Sequence, residues 1–503
     1  MALAIPISIG MVFQAAYYLV DLYFVAQLGD AAIAGLGSAG NVQFLVMSLT
    51  QVLGVGTMAL IAHAAGRKDR DDANLIFNQS ILFAGLCALV TLVGGYTLAD
   101  EYMGTIGADA ATTAAGMEYL YWFLPGLGLQ FALVAMGSAL RGTGIVKPTM
   151  IVQIGTVALN AVLAPVMIGG WLTGHPFGVM GAGLSSTISI GVGVLMMAVY
   201  FLKLEHFVGL DTKLLKPRLD TWKRILAIGL PPGGEFLVLF IVVGVMYWTI
   251  RDFGAAAQAG YGVGSRVMQA VFLPAMAVAF ATGPLAGQNF GAGRHDRVRQ
   301  TFKVAAIYGS LIMLTLTLLC LWRPELLIAA FTDDAEVIAI GAEFLHIVSW
   351  NFVAVGLVFT CSGMFQGVGN TLPALASGVA RMSLFIPSAV WMSFQPWFEL
   401  RHMWYLSVAT VAMQACFSIW LLRLELRKAS GGHFPGELQT TVPPKVTGLW
   451  HSDHSATDPV PRRPCVRGGE SDDACSERGS RLCLGAKRTK MRTPEKPSQN
   501  AAP

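Results

Sequence analysis

The sequence predicts an all-α integral membrane protein: twelve transmembrane helices in two parallel six-helix repeats, or lobes, around a central cavity. Three observations carry that prediction. The 503 residues are 54% hydrophobic and only 13% charged, with a mean hydropathy of +0.58, where a soluble domain is about 25% charged. The charges sit in short clusters between twelve long apolar runs. Residues 6–148 also recur as residues 231–373, at an offset of 225.

The runs fall at 3–26, 38–62, 75–98, 118–140, 146–170, 179–202, 224–250, 260–285, 303–322, 343–365, 372–394 and 403–424. A hydrocarbon core of about 30 Å is crossed by about 20 helical residues, so each is long enough. Their glycines and prolines would break soluble helices but are ordinary where neighbouring helices re-satisfy the freed backbone groups.

The recurrence is specific. Pro6 maps onto Pro231, Gly29, Gly35 and Gly37 onto Gly254, Gly260 and Gly262, and Gly116 and Glu118 onto Gly341 and Glu343. Gly142, Gly144 and Pro148 map onto Gly367, Gly369 and Pro373. The basic loop beginning at Gly66 returns at Gly293, slipped by two residues. A period this long marks a duplicated domain rather than a solenoid, and duplication in a membrane chain is a signature of transporters. Six runs precede the loop at 203–223 and six follow, so both halves enter the bilayer in the same direction. We expect lobes at 1–202 and 224–425, joined by a cytoplasmic loop at 203–223.

Lysine and arginine in the short loops set orientation. Loops after even-numbered runs hold fifteen, from Arg67, Lys68 and Arg70 through Lys213, Lys216 and Arg218 to Arg294, Arg297, Arg299 and Lys303; loops after odd-numbered runs hold only Arg251, Arg323 and Arg401. Both termini are therefore expected in the cytoplasm, with the chain in the cytoplasmic (inner) membrane. No cleavable signal peptide is evident, and the first run has so short a lead-in that the start reads as truncated or misassigned.

Residues 426–503 are a different material, rich in Gly, Pro, Ser, Arg and Asp. Such a composition cannot bury enough apolar surface to offset ordering entropy, so a disordered cytoplasmic tail is expected. Its Cys465, Cys475 and Cys483, with His451 and His454, lack the close Cys pairs that zinc requires, so no metal site is expected.

Local motifs point to a family. The stretch Asp21–Gly29 followed by Ala32–Gly35 forms a first-helix signature. Arg141-Gly142-Thr143-Gly144, Lys147-Pro148, Leu159-Asn160 with Pro165, and Gly178–Thr187 follow in order, then Gly229-Leu230-Pro231 with Glu235, and Gln288–Gly293. Together, over residues 1–425, they resemble the multidrug and toxic compound extrusion (MATE) family of bacterial transporters. The resemblance implies a secondary antiporter. It would export cationic or amphipathic organic compounds against inward flow of H⁺ or Na⁺, with no cofactor, by moving one lobe against the other.

Coupling needs a group whose charge a proton or cation can neutralise inside the bilayer. Asp21 and Glu235 are the two carboxylates that stand out within spans, and the resemblance matches Asp21 to the family's first-helix acid. Asn160 and Thr187 are the expected polar partners of Asp21. Where some relatives carry a second aspartate after the asparagine, this chain has Ala164, which favours protonation over a Na⁺ site. The two acids are not repeats of one another, since Asp21 maps to Met246 and Glu235 to Gly10, so chemically unequal lobes follow. Pro6 opens the first helix and is the candidate bending point. Pro231, in the matching place, reads equally well as a plain helix start. Arg266 and Arg381 are the remaining intramembrane charges, each a possible charge partner. Met117, Tyr121, Phe131, Met136, Met364 and Phe365 are candidates for a substrate cavity, because thioethers and aromatic faces suit flat organic cations.

Other classes fit less well. There is no Gly-x-x-x-x-Gly-Lys-Ser/Thr phosphate loop to bind ATP. His63, His346 and His402 are isolated near span ends, and the adjacent aspartate pairs lie in loops or the tail, so no membrane enzyme is expected. A lipid-linked oligosaccharide or polyisoprenoid flippase of related architecture is the alternative, disfavoured because only Arg266 and Arg381 could hold phosphates. Expected partners are small organic cations, amphipathic drugs and membrane lipids; nucleic acid is not expected, and the chain should be a monomer.

Overall fold

Each apolar run becomes helix, since a backbone in hydrocarbon must satisfy its hydrogen bonds internally. The computed structural model describes residues 4–106, 109–171, 174–205 and 207–430; the side chains of residues 14–22, 26, 30, 31, 240, 429 and 430 lie outside the description. Residues Met1–Leu438 form one compact unit, and Gln439–Pro503 fall in a second, which lies outside the described residues together with the tail cysteines and histidines.

The first half contains α1 (Ala4–Ala26), α2 (Asp30–Arg67), α3 (Arg70–Ile106), α4 (Ala110–Thr143), α5 (Lys147–Ile168) and α6 (Gly178–Lys203). The second contains α7 (Leu219–Ile250), α8 (Ala255–Gly291), α9 (His295–Trp322), a short α10 (Pro324–Ala329), α11 (Ala335–Val348), α12 (Phe352–Val368), α13 (Leu372–Ser393) and α14 (Leu400–Ser430). A single 3-10 turn, Ser349–Asn351, joins α11 and α12 into one span. Among the described residues eleven helices are long and apolar enough to cross a membrane; α1, at 23 residues, supplies the twelfth. No strand occurs among them.

Several helices outrun their apolar runs. α2 is 38 residues long where hydropathy marks only 38–62. Hydropathy reports the hydrocarbon slab, and the helix continues past it. For the same reason α7 begins at Leu219, which puts Pro231 and Pro232 inside it and corrects the reading of Pro231 as a helix start. Proline frees the carbonyl four residues back. The Ile228 carbonyl, freed by Pro232, accepts a 2.6 Å bond from the Thr371 hydroxyl at the start of α13.

The two halves repeat each other in contacts as well as in sequence. A Cβ on Gly35 of α2 would lie 2.6 Å from the Gly116 nitrogen of α4, and a Cβ on Gly260 of α8 would lie 3.1 Å from that of Gly341 on α11. α4 ends on Gly144 at φ 86° and α12 on Gly369 at φ 85°.

The halves meet where α2 packs on α7 and α8, and α1 on α8. Near the end of the bundle carrying the basic loops their backbones touch. A Cβ on Gly66 would lie 2.2 Å from the Gln288 carbonyl, and one on Gly291 would lie 2.2 Å from the His63 carbonyl. Only glycine permits such backbone contact. Gly66 thus pairs structurally with Gly291 at the unbroken 225 offset, so the two-residue slip falls in the loop after α8.

The linker between the halves is anchored to α3. Gln79 donates to the carbonyls of Leu214 and Lys216 (2.6 and 2.8 Å) and accepts from the Arg218 amide. Asn78 bonds Gly209 and Asp211, and Asn74 accepts from the Gly209 amide.

Candidate coupling site and the closure between halves

Glu235 lies one turn beyond Pro231, deep in α7. Its carboxylate accepts from the Ser362 hydroxyl of α12 (Oγ to Oε2 3.3 Å, to Oε1 3.5 Å), and Ser362 in turn accepts from the Gln366 amide at 3.3 Å. Among the described residues it has no ion pair. Arg224, a conceivable partner on the same helix, points to Asp72 of α3 at 3.7 Å, a carboxylate it shares with Arg67. Glu235 is thus a half-buried acid held by neutral donors alone.

Asp21 lies in α1, and its side chain is outside the described residues. α1 packs along α5, which carries Asn160. Asn160 is fully buried; its amide nitrogen reaches the Ser186 hydroxyl at 3.4 Å, and its Oδ1 has no partner among the described residues. Ala164, one turn on, is also fully buried.

Thr187 is engaged elsewhere. Its hydroxyl donates to the Trp122 carbonyl (2.6 Å) and accepts from the Gly126 amide (3.2 Å). These are groups that an unbroken α4 would pair with each other, so Thr187 is inserted into the helix beside the interior Pro125. The Tyr121 carbonyl, which Pro125 cannot engage, accepts from the Tyr96 hydroxyl at 2.9 Å. Two hydroxyls therefore patch one proline break.

Of the six substrate candidates, Phe131, Met364 and Phe365 are fully buried and Met136 is 4% exposed, all packed in hydrophobic cores. Met117 is half-buried, and Tyr121 is exposed and lies against Tyr96. Pro6 sits in the first turn of α1, which runs unbroken from Ala4. Arg266 is exposed on α8, and Arg381 is half-buried on α13; neither forms an ion pair among the described residues.

The sequence reading passed over a pair that closes the basic end. His63 Nε2 of α2 donates to the Gly367 carbonyl of α12 at 2.7 Å. Gln288 Nε2 of α8 donates to the Gly142 carbonyl of α4 at 2.8 Å. His63 and Gln288 are equivalent at the 225 offset, as are Gly142 and Gly367, so each half grips the other through the same position. This corrects the reading of His63 as isolated. The signal was in the sequence, since the offset that aligns the glycines also aligns these two polar residues.

Comparison with known proteins fits this duplicated geometry. The MatE family profile matches twice, at residues 6–166 and 231–391. The chain belongs to the MatE family. The two MatE matches are themselves separated by 225 residues, which makes each half one copy of the family unit. The probable multidrug resistance protein YoeA of Bacillus subtilis is 25% identical over 83% of this chain and 90% of its own length. The multidrug export protein MepA of Staphylococcus aureus is 24% identical over 84% and 93%. Among solved structures, a MOP superfamily transporter from Pyrococcus furiosus superposes with a TM-score of 0.79 at 23% identity, covering 85% of this chain and 95% of that one. The MatE protein described here is thus a multi-pass membrane protein with the fold of MATE transporters.

Proposed function

We propose that this MatE protein is a secondary antiporter of the inner membrane that exports cationic or amphipathic organic compounds in exchange for protons. The observation that carries the reading is Glu235, an intramembrane carboxylate with one hydroxyl donor and, among the described residues, no ion pair. Such a group is neutral when protonated and costly when charged, which is what a carrier that releases its proton on one side requires. Asp21, with the unpaired Oδ1 of Asn160 on the neighbouring α5, is the corresponding candidate in the first half. The naming of its relatives as a probable multidrug resistance protein and a multidrug export protein supports the substrate class.

A Na⁺ ion takes several oxygen ligands. Around Glu235 the structure offers the carboxylate and the Ser362 hydroxyl, and the first half carries Ala164 in place of a second acid. Both favour H⁺. With the basic loops in the cytoplasm, the closure at His63, Gln288, Gly66 and Gly291 seals the cytoplasmic side, and the described conformation faces outward.

The test is efflux of ethidium from proteoliposomes under an imposed ΔpH or an imposed Na⁺ gradient, applied separately. ΔpH alone is expected to drive it, with Asp21→Asn and Glu235→Gln each slowing efflux about tenfold or more. Drive by Na⁺ alone, or both variants at full rate in well-folded protein, would overturn the proposal.

A further inference from the structure

Arg381 lies ten residues into α13, at the depth of the hydrocarbon, with no acid for a partner. No carboxylate pairs with it among the described residues, and its buried Nε makes no hydrogen bond. Arg141, in the last turn of α4 and also without an acid among the described residues, spends its Nη2 on Ser138 at 2.6 Å. Among the described residues Arg381 has no such bond, and the Tyr261 phenol of α8 is its electrostatic neighbour. An uncompensated charge at this depth is costly, and such residues face the bundle interior rather than lipid.

Glu235 does not fill the gap. Leu375 packs on Gly234 and Gly378 lies against Val238, so α7 and α13 run side by side in the same direction. That register sets Arg381 about six residues, or roughly 9 Å, further along the bundle than Glu235.

The surroundings supply a further unspent donor and a row of aromatic rings. Ser265, one turn from Tyr261 on the same face of α8, bonds the Tyr261 phenol, while the buried Trp404 indole N–H has no partner among the described residues. Tyr261 stacks on Trp404 (5.8 Å, 9°) and meets Tyr247 edge-on at 5.0 Å.

We propose that Arg381 anchors a site in the second half that holds the anionic oxygen group of an amphipathic ligand whose aromatic body lies against the exposed Tyr247. The proposal deepens the export reading by adding acids and zwitterions to the substrate class, and it rests on that reading only for the ligand's route across the membrane.

The probe is pyrenebutyrate, with its methyl ester as the uncharged match, titrated against purified full-length protein by quenching of tryptophan emission. The acid is expected to bind about tenfold or more tightly than the ester, as for a desolvated charged contact. That ratio should fall toward one in Arg381→Gln and remain intermediate in Arg381→Lys. A ratio of one in the unsubstituted protein needs no variant to fold and overturns the proposal. So does a ratio that Arg381→Gln leaves unchanged in monodisperse protein. Competition with short-chain phosphatidylglycerol identifies the source of the anion: displacement points to a lipid headgroup, and its absence to a free organic acid. Ethidium efflux by the unsubstituted protein tests the export reading separately.

Discussion

His63 and Gln288 occupy the same place in the two repeats, and each donates to a glycine carbonyl of the opposite half, Gly367 and Gly142, at 2.7 and 2.8 Å. The contact is self-complementary, as between two subunits around a twofold axis. Because Gln288 does the work of a histidine with an amide, His63→Gln should leave the closure intact. His63→Leu removes one of two bonds worth about 0.5–1.5 kcal/mol each, a roughly two- to tenfold shift toward opening. Spin-label distances between Lys68 and Arg294 measure the populations. Equal populations in the leucine and glutamine variants would show that the bond does not hold the halves.

Gly66 and Gly291 make the same argument by steric means. Alanine at either forces a Cβ to 2.2 Å from an opposing backbone carbonyl, so Gly66→Ala and Gly291→Ala should open the basic end to a similar extent. Gly37→Ala, where nothing lies within 4 Å, should not. Accessibility of a cysteine placed at His295 to a membrane-impermeant maleimide reports the difference, and unequal effects at the two glycines would break the symmetry argument.

Thr187 separates a structural role from a coupling role. Thr187→Val strands the Trp122 carbonyl and the Gly126 amide, at a cost of about 1–3 kcal/mol. We expect a lower melting temperature with the H⁺ stoichiometry of any remaining efflux unchanged, and recovery in Thr187→Ser. A valine variant that melts normally but has lost coupling would instead make Thr187 part of the ion path.

The linker amides offer a fourth structural test. Gln79→Leu removes three hydrogen bonds to residues 214–218 at once. Limited proteolysis should then cut between Gly209 and Arg218 at least several times faster, while Asn74→Asp, which keeps the acceptor for the Gly209 amide, should not change the rate.

The architecture was legible because membrane helices and a 225-residue duplication leave strong marks in composition and spacing. The placement of Glu235 within a helix was legible for a related reason, since it lies about twelve residues inside an apolar run. The cavity candidates were not. In a helix apolar all round, periodicity does not separate packed faces from open ones, so Phe131, Met364 and Phe365 looked no different from Tyr121 until their burial was seen. The bonds of Thr187 to the break in α4 were not legible because that break is created by Pro125, 62 residues away in sequence. The helix ends were also displaced, since hydropathy stops at the edge of the hydrocarbon and the α2 and α7 hydrogen-bond ladders do not.

The anchored linker bears on where motion between the halves can occur. A slack tether would act only as a leash and leave the axis of rotation to the packed helices. Here the chain is fastened to α3 as far as Arg218, so the crossing segment travels with the first half as part of its body. The free covalent joint is reduced to the few bonds entering α7 at Leu219. A rocking movement would then have its fulcrum at the foot of α7, a lever some three helical turns short of Pro231 and Pro232, and the displacement would grow along α7 toward Glu235.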